Sequence, residues 1–178
     1  MIDRDEGLED TELRNEVLTG EDLSKLHATG STLVACELSA ASLIESDLWR
    51  VELVDCRMTG VALDRARLRD VTFTRCKLDT ATMRGVAGER VTFLDCVLRE
   101  ADLCESTWKE SRFLDCDLEL ANVEGGRFAG CRFHGSSIER VLAADSLRGI
   151  VVDPNQTLSL GLRVLDAMGV IADEREAP

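Results

Sequence analysis

The chain has 178 residues, 44% of them apolar but only 4% aromatic, and a formal net charge of −13 at pH 7. That length suits one domain with a sizeable core, and the acidic balance excludes tight non-specific nucleic-acid binding, which needs clustered Lys and Arg against phosphate. No run of about 18 apolar residues could span a membrane as a helix; the acidic start MIDRDEGLED lacks an apolar signal-peptide core, and seven cysteines without an export signal read as reduced thiols in the cytoplasm.

Apolar residues recur every five positions from Leu13 to Ile138, and only Ala28 and Gly88 in that series lack a large side chain. Two positions earlier runs a second series of mostly small residues: Ser31, Cys36, Ala41, Ser46, Val51, Cys56, Val61, Ala66. Neither period is that of a helix or of an alternating strand. A chain that turns a corner every five residues closes a square coil in twenty, and each side chain then stacks on its equivalent twenty residues away. Residue types sort accordingly: one inner edge reads Cys36, Cys56, Cys76, Cys96, Cys116, and another Leu13, Leu33, Leu53, Phe73, Phe93, Phe113, Phe133. About six to seven coils at the ~4.8 Å spacing of neighbouring strands make a rod about 30 Å long.

This pattern resembles the pentapeptide-repeat proteins, whose repeat is a small residue, Asp or Asn, Leu, then two polar residues; ADLCE at 101–105 and ANVEG at 121–125 are similar to it. The resemblance covers roughly residues 13–141 and implies an all-β solenoid, a right-handed quadrilateral β-helix.

In chain order, residues 1–17 form an acidic lead-in. Glu6, Glu16 and Glu21 fall at the small inward position, which an apolar lumen rejects, so the regular β-helix is expected over 18–141. Within it Gly88 neighbours Trp108 in one file; either the indole fills the space the glycine leaves, or the stretch RGVAGER bulges locally. After Ile138 the register slips, and 142–178 forms a capping and dimerisation segment. There Asp153 as N-cap, Pro154 at N1 and Gly169 at C′ bound a short α-helix over about 154–168. Leu158, Leu160, Leu162, Leu165 and Met168 lie on more than one side of that helix, so one side covers the last coil and another meets a second copy, giving a tail-to-tail homodimer. A monomer with its helix covered by residues 142–152 is the alternative.

Charge is banded. Residues 1–56 are net −10, residues 57–94 net +4 and residues 95–126 net −6. Duplex DNA carries roughly 18 charges over 30 Å, so a rod imitating it is physically possible. The basic middle band departs from perfect mimicry, and a merely solvated acidic face is the plain alternative. The outward residues Val34, Val54, Thr74, Leu94 and Leu114 form an apolar ladder, either a contact surface or residues suited to a pleat, with Trp49 and Ile44 also outward. The cysteine ladder points into the lumen in a line, so it packs rather than ligates a metal; Cys104 reads as an outward thiol. His27 and His134 lie on different coils, and the glycines of GGRFAGCRFHG fall at corners. With no nucleophile arrangement and no pocket around its carboxylates, the chain is not read as an enzyme, and no cofactor or metal is expected.

The stretch EDLSKLHATGSTLVACELSAASLIESDLWR, followed by VDC, resembles the N-terminal coils of the actinobacterial quinolone-resistance pentapeptide proteins, and VVDPNQTLSLGLRVLDAMGV resembles their dimerising end. That resemblance implies a dimeric rod that mimics duplex DNA, occupies the DNA-binding saddle of DNA gyrase, and inhibits the enzyme or protects it from quinolones, without binding nucleic acid or membrane itself. Its acidic surface is placed at Asp95, Glu100, Asp102, Glu105, Asp115, Asp117 and Glu119. The other hypothesis is a scaffold or regulatory module that binds an unknown partner through the apolar ladder or Trp49.

Overall fold

The computed structural model describes residue 2, residues 7–158 and residues 160–162. Every fifth residue from Asp10 to Gly135 has a left-handed backbone, with φ between 45° and 80°, and most of these corners are not glycine. Each non-glycine corner costs about 1–2 kcal/mol of steric strain. Hydrogen bonding between coils offsets it. The corner N–H groups donate to carbonyls nineteen residues on, such as Ala35 to Val54 (2.9 Å) and Arg75 to Leu94 (2.8 Å). Among the described residues no buried side-chain nitrogen or oxygen lacks a partner.

The result is the expected right-handed quadrilateral solenoid. Its first face is the parallel sheet of β1 (Leu8–Glu9), β3 (His27–Thr29), β5 (Asp47–Trp49), β7 (Arg67–Arg69), β9 (Ala87–Glu89) and β11 (Thr107–Lys109). Its second face is the parallel sheet of β2 (Glu12–Arg14), β4 (Thr32–Val34), β6 (Glu52–Val54), β8 (Thr72–Thr74), β10 (Thr92–Leu94) and β12 (Arg112–Leu114). All pairings keep a register of twenty, as in Leu53↔Phe73 and Phe93↔Phe113. The third and fourth faces are narrower. They pair only through single bridges, such as Arg57↔Lys77 and Thr82↔Asp102. There each corner is a tight turn closed three residues back, Ala41 N–H to the Leu38 carbonyl (3.0 Å) and Val61 to Met58 (3.1 Å). A positive φ at the third position makes these turns type II.

Pairing begins earlier than the expected residue 18, because β1 already pairs with β3 and β2 with β4. The acidic residues do not prevent it. Glu16 lies on the first coil, where no further coil covers it, and it stays exposed to water. Ile2 packs against the open end of the core beside Leu8 and Leu13.

Inside, the files stack as the sequence requires. Phe73, Phe93, Phe113 and Phe133 lie face to face, with centroids 4.7, 4.9 and 4.6 Å apart and planes within 13°. The Gly88 question resolves in favour of the indole: a Cβ built there would lie 2.3 Å from Trp108 Cε3, while β9 and β11 pair through Gly88↔Trp108 without a bulge. Trp108 meets Phe93 and Phe113 edge-on and donates its Nε1–H to Ser106 Oγ at 2.8 Å. The cysteine ladder is buried with free thiols, each Sγ–H directed at carbonyls, as Cys76 at Leu53 (3.4 Å). Burial pushes the Cys36 and Cys131 thiols above their usual range. Cys104 corrects the reading from sequence. It is 3% exposed, and burial together with the Asp102 carboxylate raises its thiol to about 11.

The C-terminal end is closed by a short 3₁₀ turn, Pro154–Gln156, which continues as helix at 157, 158 and 160–162. The expected N-cap holds. Asp153 Oδ1 accepts the Asn155 N–H (2.9 Å) and its Oδ2 the Gly135 N–H of the last coil (2.8 Å). Gln156 reaches into the coil end, donating Nε2–H to the carbonyls of Phe133 (2.7 Å) and Ser136 (2.6 Å). One polar side chain thereby satisfies the Ser136 carbonyl and adds a second donor to the Phe133 carbonyl, which also accepts the Ser136 N–H (3.2 Å). Leu160 packs against the core, whereas Leu158 is 75% and Leu162 57% exposed. Leu165, Met168 and the rest of the expected helix lie outside the described residues.

Candidate partner-binding surface

Because neighbours across coils are twenty residues apart, charge bands in the sequence become ladders of opposite charge on the rod. Arg65 pairs with Glu45 (3.0 Å), Arg57 with Glu37 (3.4 Å), Arg75 with Asp55 (2.6 Å) and Arg90 with Asp70 (2.6 Å). Reaching the other way, Arg69 pairs with Glu89 (3.3 Å) and Arg84 with Asp102 (2.8 Å). The basic middle band is therefore largely neutralised by the acids that flank it. The hydrogen bond from Arg75 holds the Asp55 carboxyl below the usual range, and that from Arg90 does the same for Asp70.

The acids picked from sequence separate into two groups. Asp117 and Glu119 are engaged by Arg99 (2.5 and 3.3 Å), Glu119 also by Arg140 (2.5 Å), and Asp102 by Arg84. These do not stand free. Among the described residues Asp95, Glu100 and Asp115 have no ion-pair partner, and Glu105 comes only within 4.0 Å of Arg84. Glu110, outside the set chosen from sequence, joins them. These five residues hold five successive corners, one full turn of the coil, with φ from 51° to 57°. Corners are the outermost points of a square coil, so the carboxylates form a ring. The five-residue step from Asp95 would have found Glu110.

Acidity is not uniform around these coils. Lys109 and Arg127 lie on the first face and Arg112 and Arg132 on the second. Trp49, 44% exposed, carries the Arg50 guanidinium 4.4 Å from its ring centroid. With Arg67, Arg69, Ala87 and Lys109 it borders an open groove of about 440 Å³ on the first face, hollow because the outward Ala87 offers almost no side chain. The apolar ladder Val34, Val54, Thr74, Leu94, Leu114 lies half-buried in one file of the second face. At the C-terminal end Leu142, Val151, Leu158 and Leu162 are all exposed. Among the described residues no helix is long and apolar enough to cross a membrane, and no three His, Cys, Asp or Glu converge as a metal site.

Among solved structures, HetL of the cyanobacterium Nostoc sp. strain PCC 7120, a pentapeptide repeat protein involved in heterocyst differentiation regulation, matches 72% of this chain and 72% of its own at 14% identity and a TM-score of 0.51. A pentapeptide repeat protein of the Arabidopsis thaliana thylakoid lumen matches 53% of this chain and 66% of its own at 18% identity, also with a TM-score of 0.51. QnrB1, a plasmid-mediated fluoroquinolone resistance protein, covers 91% of this chain and all of its own at 18% identity, but its TM-score of 0.43 is too low for the likeness to carry an argument. These likenesses show the fold alone. No curated protein matches the sequence. The family model described as a pentapeptide repeat region matches residues 7–83 and again 66–141. It thus follows the coils from the first strand to the register slip, and this chain belongs to the pentapeptide repeat family.

Proposed function

We propose that this protein is a non-enzymatic interaction rod that imitates duplex DNA, binds DNA gyrase at its DNA-binding saddle, and inhibits the enzyme or shields it from quinolones. The observation that carries the reading is the ring of carboxylates at Asp95, Glu100, Glu105, Glu110 and Asp115, where only Glu105 comes within 4.0 Å of a cation among the described residues, while most arginines of the middle band are paired. Unpaired outward charge is what a cationic groove shaped for phosphate attracts. Motif resemblance in the first coils and in the C-terminal segment names gyrase among such partners. Leu158 and Leu162, exposed at the C-terminal end, supply an apolar surface through which two rods would join and double the acidic length. The free thiols fit a reducing compartment, and the protein acts in the cytoplasm.

A gyrase supercoiling assay, titrated with this protein with and without a fluoroquinolone and with competing DNA, tests the reading. Inhibition that added DNA relieves supports it. No effect at large molar excess over a matched actinobacterial gyrase overturns it. The groove beside Trp49 favours a second reading, a module for some other protein partner. In that case Trp49→Ala abolishes binding while Asp95→Lys with Asp115→Lys leaves it unchanged.

A further inference from the structure

The second face carries charge differently from the rest of the rod. Over most of the rod outside the acidic ring, opposite charges lie one coil apart and pair. Here one outward file carries its acids in the first half and its bases in the second, with threonines between: Glu12, Thr32, Glu52, Thr72, Thr92, Arg112 and Arg132. Glu52 and Arg112 are three coils apart, about 14 Å, which exceeds pairing distance and the ~8–10 Å screening length. Among the described residues neither has an ion pair, although both are exposed. Beside this file runs the half-buried apolar ladder of Val54, Thr74, Leu94 and Leu114. The face is flat, uncharged in the middle and oppositely charged towards its ends.

Such a row is complementary to its own reversal. A two-fold axis lying in the face, parallel to the strands, lays each file antiparallel on the same file of a second copy. Centred between Thr72 and Thr92, it sets Glu52 against Arg112 of the partner subunit, twice by symmetry. It also sets Val54 against the partner's Leu114 and Thr74 against the partner's Leu94. The flanking corners select this register. Arg50 then faces the partner's Glu110, Asp70 the partner's Arg90, and Arg75 the partner's Asp95. One contact is unfavourable, Asp55 against the partner's Asp115. Moving the axis by half a coil, to Thr72, instead sets Arg50 against the partner's Arg90 and Asp55 against the partner's Asp95. We infer that the second face is a self-complementary surface through which two copies associate side by side and antiparallel.

The face measures about 30 Å by about 10 Å from strand spacing and strand length. That is roughly 300 Å² per copy, against about 800 Å² per partner in a standard stable interface. The association is therefore weak, reversible and sensitive to salt. It is distinct from the end-to-end joining proposed above, and it leaves the third and fourth faces outward on both copies.

Sedimentation velocity over a wide concentration range, at low salt and at 0.5 M NaCl, tests the inference with the full chain and two variants, Glu52→Arg and Arg112→Glu. Both positions are exposed and outside the acidic ring, so the result does not depend on the gyrase reading. The wild type is expected to self-associate, with the association weakened at least about tenfold by the added salt. Each variant alone brings like charges together at both symmetric contacts and is expected to lose self-association. An equimolar mixture restores opposite charges at both and is expected to recover it. A wild type that stays monomeric at millimolar concentration, variants that associate like the wild type, or a mixture that recovers nothing would each overturn the proposal. Association through the C-terminal end responds to neither substitution and so falls among the overturning outcomes.

Discussion

The lumen and the surface of this rod are written in the same twenty-residue register but obey opposite rules. Inside, like stacks on like: phenylalanine on phenylalanine within 4.9 Å, cysteine over cysteine. Outside, through most of the rod, unlike stacks on unlike, as arginine meets carboxylate one coil away. Apolar packing is short-ranged and rewards matched shapes, so identical side chains make a uniform column. Surface charge rewards alternation, and identical charges at 4.8 Å spacing repel. The comparison shows where the surface rule is broken. From Asp95 to Asp115 the corners are all acidic, and folding offers no reason for it.

The largest way to break the interior rule is at its exception. Gly88→Val places branched carbons where Trp108 Cε3 and Cζ3 already lie 2.3 and 2.6 Å from a Cβ. The expected loss is about 3 kcal/mol or more, since overpacking a dense core forces its neighbours out of position. Urea unfolding measures it. Combining the change with Trp108→Leu should recover part of the loss, because the two positions share one volume. A double variant as unstable as the sum of the singles would show that the indole does not occupy the glycine's space.

This exception also marks how far the sequence could be read. The five- and twenty-residue periods made the coil, its core files and the Gly88–Trp108 contact accessible, because every core position sees only its equivalents one coil away. The start of pairing at Leu8 was not accessible, since Glu16 breaks the pattern and yet sits where water reaches it. Cys104 was misread because outward does not mean exposed when flanking side chains are long. The acidic site was legible only as a band. Distinguishing Asp115 from Asp117 and Glu119 needed the position of Arg99, eighteen residues before Asp117 and twenty before Glu119, which it engages.

The C-terminal cap extends the comparison to the end of the rod, where neither stacking rule has a next coil to act through. Gln156→Ala leaves the Ser136 carbonyl without its donor and the Phe133 carbonyl with only the Ser136 N–H. A buried unsatisfied group costs about 1–3 kcal/mol, so a loss of about 1–3 kcal/mol is expected. Hydrogen exchange should locate it, with protection falling in the last coil before the central strands. Equal loss of protection along the whole rod would mean that the cap acts on the fold as a single unit.

Acid sharpens the surface rule. Asp55 and Asp70 have carboxyls depressed by the hydrogen bonds from Arg75 and Arg90. A folded value below the unfolded value of about 3.9 means that the stabilisation is present above it and is lost as pH falls through the folded value. Stability should therefore decline below about pH 4. Arg75→Gln with Arg90→Gln should flatten that decline while leaving the pH dependence above pH 5 unchanged. Both pairs are exposed, so the effect is modest and shrinks further in high salt.

The smallest effect on folding is expected where the effect on partner binding should be greatest. Neutralising the ring except for Glu105, with Asp95→Asn, Glu100→Gln, Glu110→Gln and Asp115→Asn, removes no ion pair among the described residues. Asparagine is also among the residues most tolerant of the left-handed corner. The unfolding midpoint should stay where it is or rise slightly, as like charges around one coil cease to repel. Asp55→Asn with Asp70→Asn, made at corners of the same geometry but with arginine partners, should lower it. If the ring variant also unfolds earlier, its carboxylates serve the fold, and their lack of partners is no sign of a binding surface. If it folds normally and no longer affects gyrase, the broken alternation belongs to function, because nothing in the folding of the rod requires it.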